Sequence, residues 1–314
     1  MINKSNTYVS KVLTNISLGY RNDNYIAEKI MPAISVKKDT AQISTYGMDN
    51  LRIVKALRAQ WSWANEVNHS VSIWDHYVLA DHALKELVTK EEYDNADAPI
   101  KPETDATENL TDRMQVIKEY ELAVNVMAST TIITQNTTLS GTDQWSDPDN
   151  SDPIGDITTA IETIRAATGK KPNTFVIPYA TMMVLKDHPQ ILDRILNSTG
   201  VVTMDLVMSV LMKAFPNIKE IMIGDAQYNG WVEGGTDSLT DIWGKHFWVM
   251  YIEKKPRLKS RSFGYTYQKN GENRRVKVLK YDEDKEGRYV RVNDKYDQKL
   301  VDEKCAYLIK NAVA

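Results

Sequence analysis

The chain holds one cysteine, Cys305, in 314 residues. A single thiol excludes an intramolecular disulfide and a cysteine pair for structural zinc, so the fold must rest on packing and suits a reducing compartment. A dominant charge is lacking as well: 39 basic residues stand against 42 acidic ones, for a formal net charge of -3. The whole-chain field therefore offers no strong attraction for phosphate backbones or anionic membranes. Long uncharged apolar runs are missing, the mean hydropathy is -0.44, and Met1 to Ser17 carries no signal-like apolar core. The expectation is a soluble protein with no membrane contact.

Reactive chemistry is equally scarce. None of His69, His76, His82, His188 and His246 has a partner at the four-residue spacing of a zinc-binding helix. His188, just before Pro189, reads as structural. The run Asp143, Asp147, Asp149, Asp152, Asp156 departs from a calcium loop: Asp152 stands where the turn glycine belongs, and Pro148 and Pro153 interrupt it. It reads as a solvated loop capping the next helix. Gly169-Lys170-Lys171 lacks the upstream glycine and the following Ser or Thr of a phosphate loop and reads as a helix C-cap. Gly-x-Ser-x-Gly is absent, and Cys305 lies in an apolar strand without a histidine partner. The basic patch Lys254, Lys255, Arg257, Lys259 and Arg261 reads as a solvated loop before a strand. No catalytic residue, metal site or cofactor is expected, and the chain does not read as an enzyme.

What is present is length and an ordered change of character. A chain of this size buries roughly three quarters of its unfolded surface, enough for one large core or two smaller ones. Met1 to about Lys29 has scattered apolar residues and no periodic face, as for an arm lying on something else. Ala33 to Tyr46 and Val67 to Leu79 read as two strands. Between them, Gly47 to Glu66 carries Leu51, Ile53, Val54, Leu57, Trp61 and Trp63 interleaved with Arg52, Lys55 and Arg58. Long loops inside compact domains are uncommon, and this apolar load is costly to leave in water. The economical account is burial against another subunit; the competing one is that these residues cap the chain's own core.

Asp105 to Ala128 reads as a long helix with Asp105 at its N-cap and a core face of Leu110, Met114, Ile117, Val124 (or Ala123) and Met127. Asp112, Arg113, Lys118, Glu119 and Glu121 fall off that stripe. From Asp152 helices and strands alternate. Asp152-Pro153 starts a helix closed by Gly169, and Thr174 to Ile177 is a short buried strand. Helices follow at Tyr179 to Lys186 and Pro189 to Leu196, and Thr203 caps another over Met204 to Ala214. Lys219 to Ile223 and Phe247 to Ile252 are strands flanking a Gly/Asp-rich segment, Gly224 to Asp241, that reads as an exposed flexible loop. The last sixty residues are strand-like, with Asn270-Gly271 as a hairpin signal. The class is α+β.

In this order the sequence resembles the major capsid proteins of tailed bacteriophages with the Hong Kong 97-like fold, which encapsulin shells share. The resemblance runs from about Leu18 to Ala312. It is carried by Ile26-Ala27-Glu28-Lys29-Ile30-Met31-Pro32, Ala56-Leu57-Arg58-Ala59, Leu139-Ser140-Gly141-Thr142-Asp143-Gln144-Trp145, Lys171-Pro172-Asn173, His188-Pro189, Asp241-Ile242-Trp243-Gly244, Ser262-Phe263-Gly264-Tyr265-Thr266-Tyr267 and Tyr307-Leu308-Ile309-Lys310.

It implies an N-terminal arm (1–32), an E-loop hairpin (33–80), a P-domain with the spine helix (81–150 and 255–299) and an A-domain (151–254 and 300–314). The E-loop residues Leu51, Ile53, Leu57, Trp61 and Trp63 would contact a neighbouring subunit. Asp225, Asn229, Gly234 and Asp237 would line the capsomer axis. The implied function is a structural shell subunit forming hexamers and pentamers of an icosahedral or prolate head around phage DNA, with an encapsulin-like cargo shell as the alternative. Only about thirty residues precede the E-loop, which implies a separate scaffolding protein. Further implied partners are a portal protein, a decoration protein, and packaged double-stranded DNA through weak, non-specific contact. The implied location is the virion capsid, assembled in the host bacterial cytoplasm.

Overall fold

The computed structural model describes residues 7–67, 71–97, 99–196, 203–230, 238–255 and 261–314. Strand β1 (Tyr8–Val9), helix α1 (Lys11–Gly19) and the single turn α2 (Ala27–Ile30) come first. Next are β2 (Ala33–Val36), β3 (Thr40–Tyr46), β4 (Val71–Val78), β5 (Ala80–Thr89), α3 (Lys90–Asn95) and α4 (Pro102–Tyr120), which continues as a π-helical segment over Glu121–Met127. β6 (Asn136–Thr138) leads to α5 (Pro153–Thr168), β7 (Thr174–Pro178), α6 (Tyr179–Asp187), α7 (Pro189–Leu196) and α8 (Met204–Ala214). β8 (Glu220–Gly224), β9 (Gln227–Asn229), β10 (Leu239–Asp241), β11 (Phe247–Met250), β12 (Gly264–Lys269), β13 (Arg275–Asp282), β14 (Gly287–Leu300) and β15 (Ala306–Lys310) complete the order.

Two large sheets organise these elements. The first runs β1-β13-β14-β12-β2, with β5 also on β14. Its inward positions alternate along the strands: Val276 and Val278 of β13 and Val290 and Val292 of β14 pack with Leu13 of α1 and Leu110 and Met114 of α4. The second sheet runs β6-β15-β11-β7-β8. Here β7 and β11 are buried at every position, the unbroken apolar pattern of strands covered on both faces. α5 begins where Asp152 Oδ1 accepts the Gly155 N–H at 3.0 Å and Pro153 occupies N1. It ends at Gly169, in the left-handed region at φ +70°, as its sequence pattern indicates.

Several sequence expectations are corrected. The run from Ala33 to Tyr46 is two strands, because the chain leaves the first sheet between them: β2 pairs parallel to β12, and β3 pairs antiparallel to β4. β5, along β14 from Ala80 to Thr89, went unread because Asp81, Lys85 and Glu86 dilute the alternation of Leu84 and Val88. Asn270-Gly271 turns the chain, with Gly271 at φ +77°, but β14 lies between β12 and β13, so the hairpin is β13-β14. The ends of the Gly224 to Asp241 segment pair as β9 and β10, with Tyr228 edge-on to Tyr120 at 4.9 Å.

The arm is not a loose extension either. From Tyr8 onward it lies on its own subunit. β1 pairs with β13, Ser17 Oγ and Thr111 Oγ1 share a hydrogen bond of 2.7 Å, and Tyr20, Asn22 and Tyr25 all donate to the Asp112 carboxylate at 3.1 Å. Deeper in, Glu119 accepts from Ile26 N (3.0 Å), Ala27 N (2.7 Å) and Trp243 Nε1 (2.8 Å). Burial pushes the Glu119 carboxyl up, and the three donors favour its ionised form against that cost. Beside it Glu28 pairs with Lys118 at 3.0 Å and Arg274 at 2.6 Å. Burial opposes ionisation of Glu28, yet the two cations hold its carboxyl below the usual range.

These arm contacts decide which face of the spine is covered. α4 starts with Pro102 at N1, three residues before the expected cap, and Asp105 lies within its acidic first turn, where the helix dipole favours it. Leu110, Met114 and Met127 are buried. Ile117 and Val124, expected to face inward, are 39% and 41% exposed, while Lys118 and Glu119, expected off the stripe, are buried. The arm claims the Lys118 and Glu119 side, and the wider π turn after Tyr120 shifts the phase of the residues beyond it.

Glu119→Gln would set an amide N–H₂ against one of three donors; the expected result is a loss of about 1–3 kcal/mol of unfolding free energy, with the arm more protease-sensitive between Leu18 and Tyr25. An unchanged urea midpoint and cleavage pattern would contradict the anchor. A second expectation concerns His246, whose Nδ1 accepts from Asn311 N at 3.1 Å. Burial, with help from Lys310, lowers its pKa to about 4. The fold holds the neutral ring, so its contribution is complete above the ordinary value near 6.5 and declines as pH falls toward about 4. Urea titrations at pH 7 and pH 5 are expected to show this loss, and His246→Asn, which keeps an acceptor but cannot be protonated, is expected to reduce it.

Candidate inter-subunit interface

The β3-β4 hairpin is held firmly at its base. Ile43, Tyr77 and Leu79 pack with Tyr265, Tyr267 and Val301 of the first sheet, and the rings of Tyr77 and Tyr267 stack at 4.5 Å. Polar contacts add direction: Asp39 meets Lys269 at 2.7 Å and Lys295 at 3.2 Å, and Asp75 meets Lys299 at 3.3 Å. Thr45 Oγ1 donates to Val301 O at 2.6 Å, and Val78 N donates to Asp297 Oδ2 at 2.9 Å. The exposed ion pairs are screened by solvent and add little, so the aromatic and aliphatic packing carries most of the anchoring.

Beyond Tyr46 the chain leaves the body. A single 3-10 turn, Met48–Leu51, precedes a stretch from Ile53 to Gln60 without helix or strand. Ile53 is 102% exposed, Leu57 96%, Trp61 93% and Trp63 96%. Leu51, at 59%, leans toward Gly169, where an added Cβ would lie 3.0 Å from its Cδ1. Ser62 returns the chain by donating from both N and Oγ to Ala59 O. Trp61 sits at φ +68°, a conformation that bulky residues rarely adopt. Of the five tip residues singled out by sequence, all are exposed, and four of them touch little of their own chain.

The other expected sites are scattered. Asp225 and Asn229 are exposed beside and on the β9-β10 ribbon, whereas Gly234 and Asp237 lie outside the described residues. So do His69, Arg257 and Lys259. Arg261 of the basic patch is buried against Asp302 at 3.6 Å, and Lys254 pairs with Glu220 at 2.7 Å. His188 Nδ1 accepts from Gln190 N at 3.3 Å, so Nε2 carries the proton and donates to Ser151 Oγ at 3.0 Å. The Ser151 hydroxyl in turn donates to Asp147 O at 2.5 Å, which leaves the serine without a base. Burial lowers the His188 pKa, in keeping with a neutral structural ring. The Asp147 carboxylate is occupied by Asp149 N and the Asn150 amides, and Asp152 caps α5. Among the described residues no cluster is arranged to hold a metal, and no helix is long and apolar enough to cross a membrane.

The residues missed by sequence reading are Asp112, Glu119 and Trp243, which fix the arm against α4 and the flank of the second sheet. The available signal was a carboxylate within the span of a long helix; only the arm's donors distinguish it from a solvated one.

No family profile matches the chain. It is 30% identical over 270 residues to the major capsid protein of Burkholderia phage BcepMu, covering 84% of each. The chain belongs to the phage major capsid protein family. A second capsid protein, from Pseudomonas phage JBD67, is 29% identical over 262 residues, covering 82% of this chain and 81% of that one. Among solved structures, a phage-related protein from Bordetella bronchiseptica RB50 superposes with a TM-score of 0.78 at 25% identity, covering 98% and 99% of the two chains. The capsid of cyanophage P-SCSP1u, 7% identical with a TM-score of 0.56 over 93% and 89%, shares the fold. The capsid subunit therefore has the Hong Kong 97-like α+β fold, is a structural component of the virion shell, and is not an enzyme.

For this capsid subunit, Tyr77→Ala removes the ring that docks the hairpin on the sheet, at an expected cost of about 3 kcal/mol. Hydrogen exchange at β3 and β4 is expected to accelerate by about a hundredfold or more if that cost falls on local opening, with β7 and β11 unaffected. Equal exchange in variant and wild type would mean the stack does not hold the hairpin.

Proposed function

We propose that the subunit builds hexamers and pentamers of the phage head by placing its hairpin tip on an adjacent copy. The observation that carries this is the near-complete exposure of Ile53, Leu57, Trp61 and Trp63 on a hairpin whose base is fixed. Each such side chain is worth roughly 1.5–3 kcal/mol when fully removed from water, and a free monomer forfeits that term. A protruding tip that meets a different patch on its neighbour makes a heterologous contact, the kind that closes into rings. Subunits joined by several such contacts at once dissociate only when all release, so modest interfaces suffice for a durable shell.

In this reading residues 1–32 are the arm, 33–80 the E-loop, 81–150 and 255–299 the P-domain, and 151–254 with 300–314 the A-domain. The pairing of β2 with β12 favours moving the E-loop's start to about Thr40. The exposed Asp225 and Asn229 support placing the β9-β10 ribbon at the capsomer axis. A scaffolding protein, a portal, a decoration protein and weakly held double-stranded DNA complete the proposed partners, with assembly in the host cytoplasm. Both sequence relatives are phage capsid proteins, which favours a genome-filled head over a cargo compartment.

The double substitution Trp61→Ala with Trp63→Ala is expected to leave a folded, soluble subunit that forms no shells under electron microscopy. Normal shells from this variant would remove the tip from the assembly mechanism.

A further inference from the structure

The first sheet packs one face on α1 and α4 and turns the other away from them. Val276, Val278, Val290 and Val292, with Leu84 and Val88 of β5, mark the packed face. Side chains alternate along a strand, so Arg275, Lys277, Tyr289, Arg291, Lys85 and Leu87 belong to the opposite one. Strand register sets three of these in a row, with Lys277 opposite Arg291 and Arg291 opposite Lys85. Arg275 stands one step along β13 from the row, and on its other side Tyr289 pairs with Leu87. Like charges directly opposite each other in a sheet are destabilising. Nothing within the fold relieves this row: among the described residues, none of the four cations forms an ion pair with a carboxylate. Arg291 Nε is buried without a hydrogen-bond partner, and Lys85 rests 4.5 Å from the Tyr289 ring centre. Two carboxylates on these strands are already engaged, Asp81 by the Asn293 amide at 3.3 Å and Asp282 by the N–H groups of Asp284 and Lys285.

The rest of the same face shows how such a pattern is met. Lys269, Lys295 and Lys299 belong to it, and the chain's own hairpin brings Asp39 to the first two and Asp75 to the third. One half of the face is thus neutralised by carboxylates from an extended hairpin, while the other half has the cations alone. We propose that Arg275, Lys277, Arg291 and Lys85 form a docking strip for an extended acidic segment of a separate protein. Another copy's hairpin tip does not fit there: Leu51 to Asn65 carries Arg52, Lys55 and Arg58 and no carboxylate, so strip and tip repel. Tyr289 and Leu87 give the row an apolar border, which suits the mixed side chains of a protein strand better than a phosphate backbone held by charge. Carboxylates on one face of such a strand recur about every 6.6–7 Å, and the cations they would meet stand on strands about 4.8 Å apart. Charge complementarity of this sort mainly selects the partner and speeds encounter.

The test uses the full chain and a labelled twelve-residue peptide of alternating Glu and Thr, with the Gln and Thr peptide as control, followed by fluorescence anisotropy at low salt. The Glu peptide is expected to bind about tenfold or more tighter than the Gln peptide, and Lys277→Gln with Arg291→Gln is expected to remove most of that difference. Lys170→Gln with Lys171→Gln, an exposed basic pair just past α5, is expected to leave it intact. No preference for the Glu peptide, or a preference that both double variants change equally, overturns the proposal. So does a twelve-base-pair DNA duplex that binds tighter than the Glu peptide and is released by the strip variant, which would make the strip a nucleic-acid contact. Shell yield of the chain alone is expected to be the same in the strip variant as in wild type; a drop of about tenfold would make the row a contact between copies and overturn the separate partner. Should the double variant fail to fold by circular dichroism, Lys85→Gln replaces it, since Lys85 is exposed. That single change is expected to weaken the Glu peptide about threefold, and an unchanged affinity would count against the strip.

Discussion

Large apolar side chains held in water, at the end of a hairpin whose base is packed on the first sheet, are the constraint on which the rest of this molecule depends. The hairpin cannot retreat because Ile43, Tyr77 and Leu79 are committed to the first sheet. Its tip forms no helix or strand between Ile53 and Gln60, and Ile53, Leu57, Trp61 and Trp63 are almost fully exposed. Such a chain is folded and yet incomplete. Its two sheets bury their own cores and satisfy folding, while Leu57, Trp61 and Trp63 lose their hydration cost only when a second surface covers them. On the proposed reading, assembly draws on a term that folding leaves unused.

For that term to act in one direction, the platform beneath the hairpin has to be stiff. Arm, spine and sheet are joined at Glu119, Asp112 and Glu28, where side chains from distant parts of the sequence meet over the second half of α4. Buried ionic groups of this kind add little net stability, since desolvation offsets most of the attraction. Their consequence is geometric: only one placement of the arm supplies both backbone donors to Glu119 and the two hydroxyls and an amide to Asp112. Trp243 brings the second sheet's flank to the same carboxylate, which adds a polar tie to the packing of Leu122, Ala123 and Met127 against that sheet.

Much of this was legible in the residues. α5 declares itself through Asp152, Pro153 and Gly169, and α8 through the Thr203 cap, because each local signal agrees with the observed backbone. The tip was legible for the opposite reason: its apolar and basic residues fit no regular element. The strand order was partly hidden. β5 carries Glu86 on the same face as Leu84 and Val88 and Leu87 on the opposite one, which obscures its period, and Asn270-Gly271 signals a turn without saying which strands flank it. The spine's covered face was misread at Ile117 and Val124, since a hydrophobic stripe predicts burial only where the neighbour is apolar. Here the neighbour is an arm rich in polar donors, and Lys118 and Glu119 meet it instead. Nothing in a single sequence pairs Glu119 with the Ile26 and Ala27 amides more than ninety positions away.

The central claim is that the tip passes from water to a covered environment when subunits assemble. Hydroxyl-radical footprinting of Trp61 and Trp63, compared between unassembled subunits and intact shells, measures this directly. The account predicts fast oxidation of both rings in free subunits and strong protection in shells, with buried Trp248 unreactive in both states. Equal oxidation of Trp61 and Trp63 in the two states would contradict it.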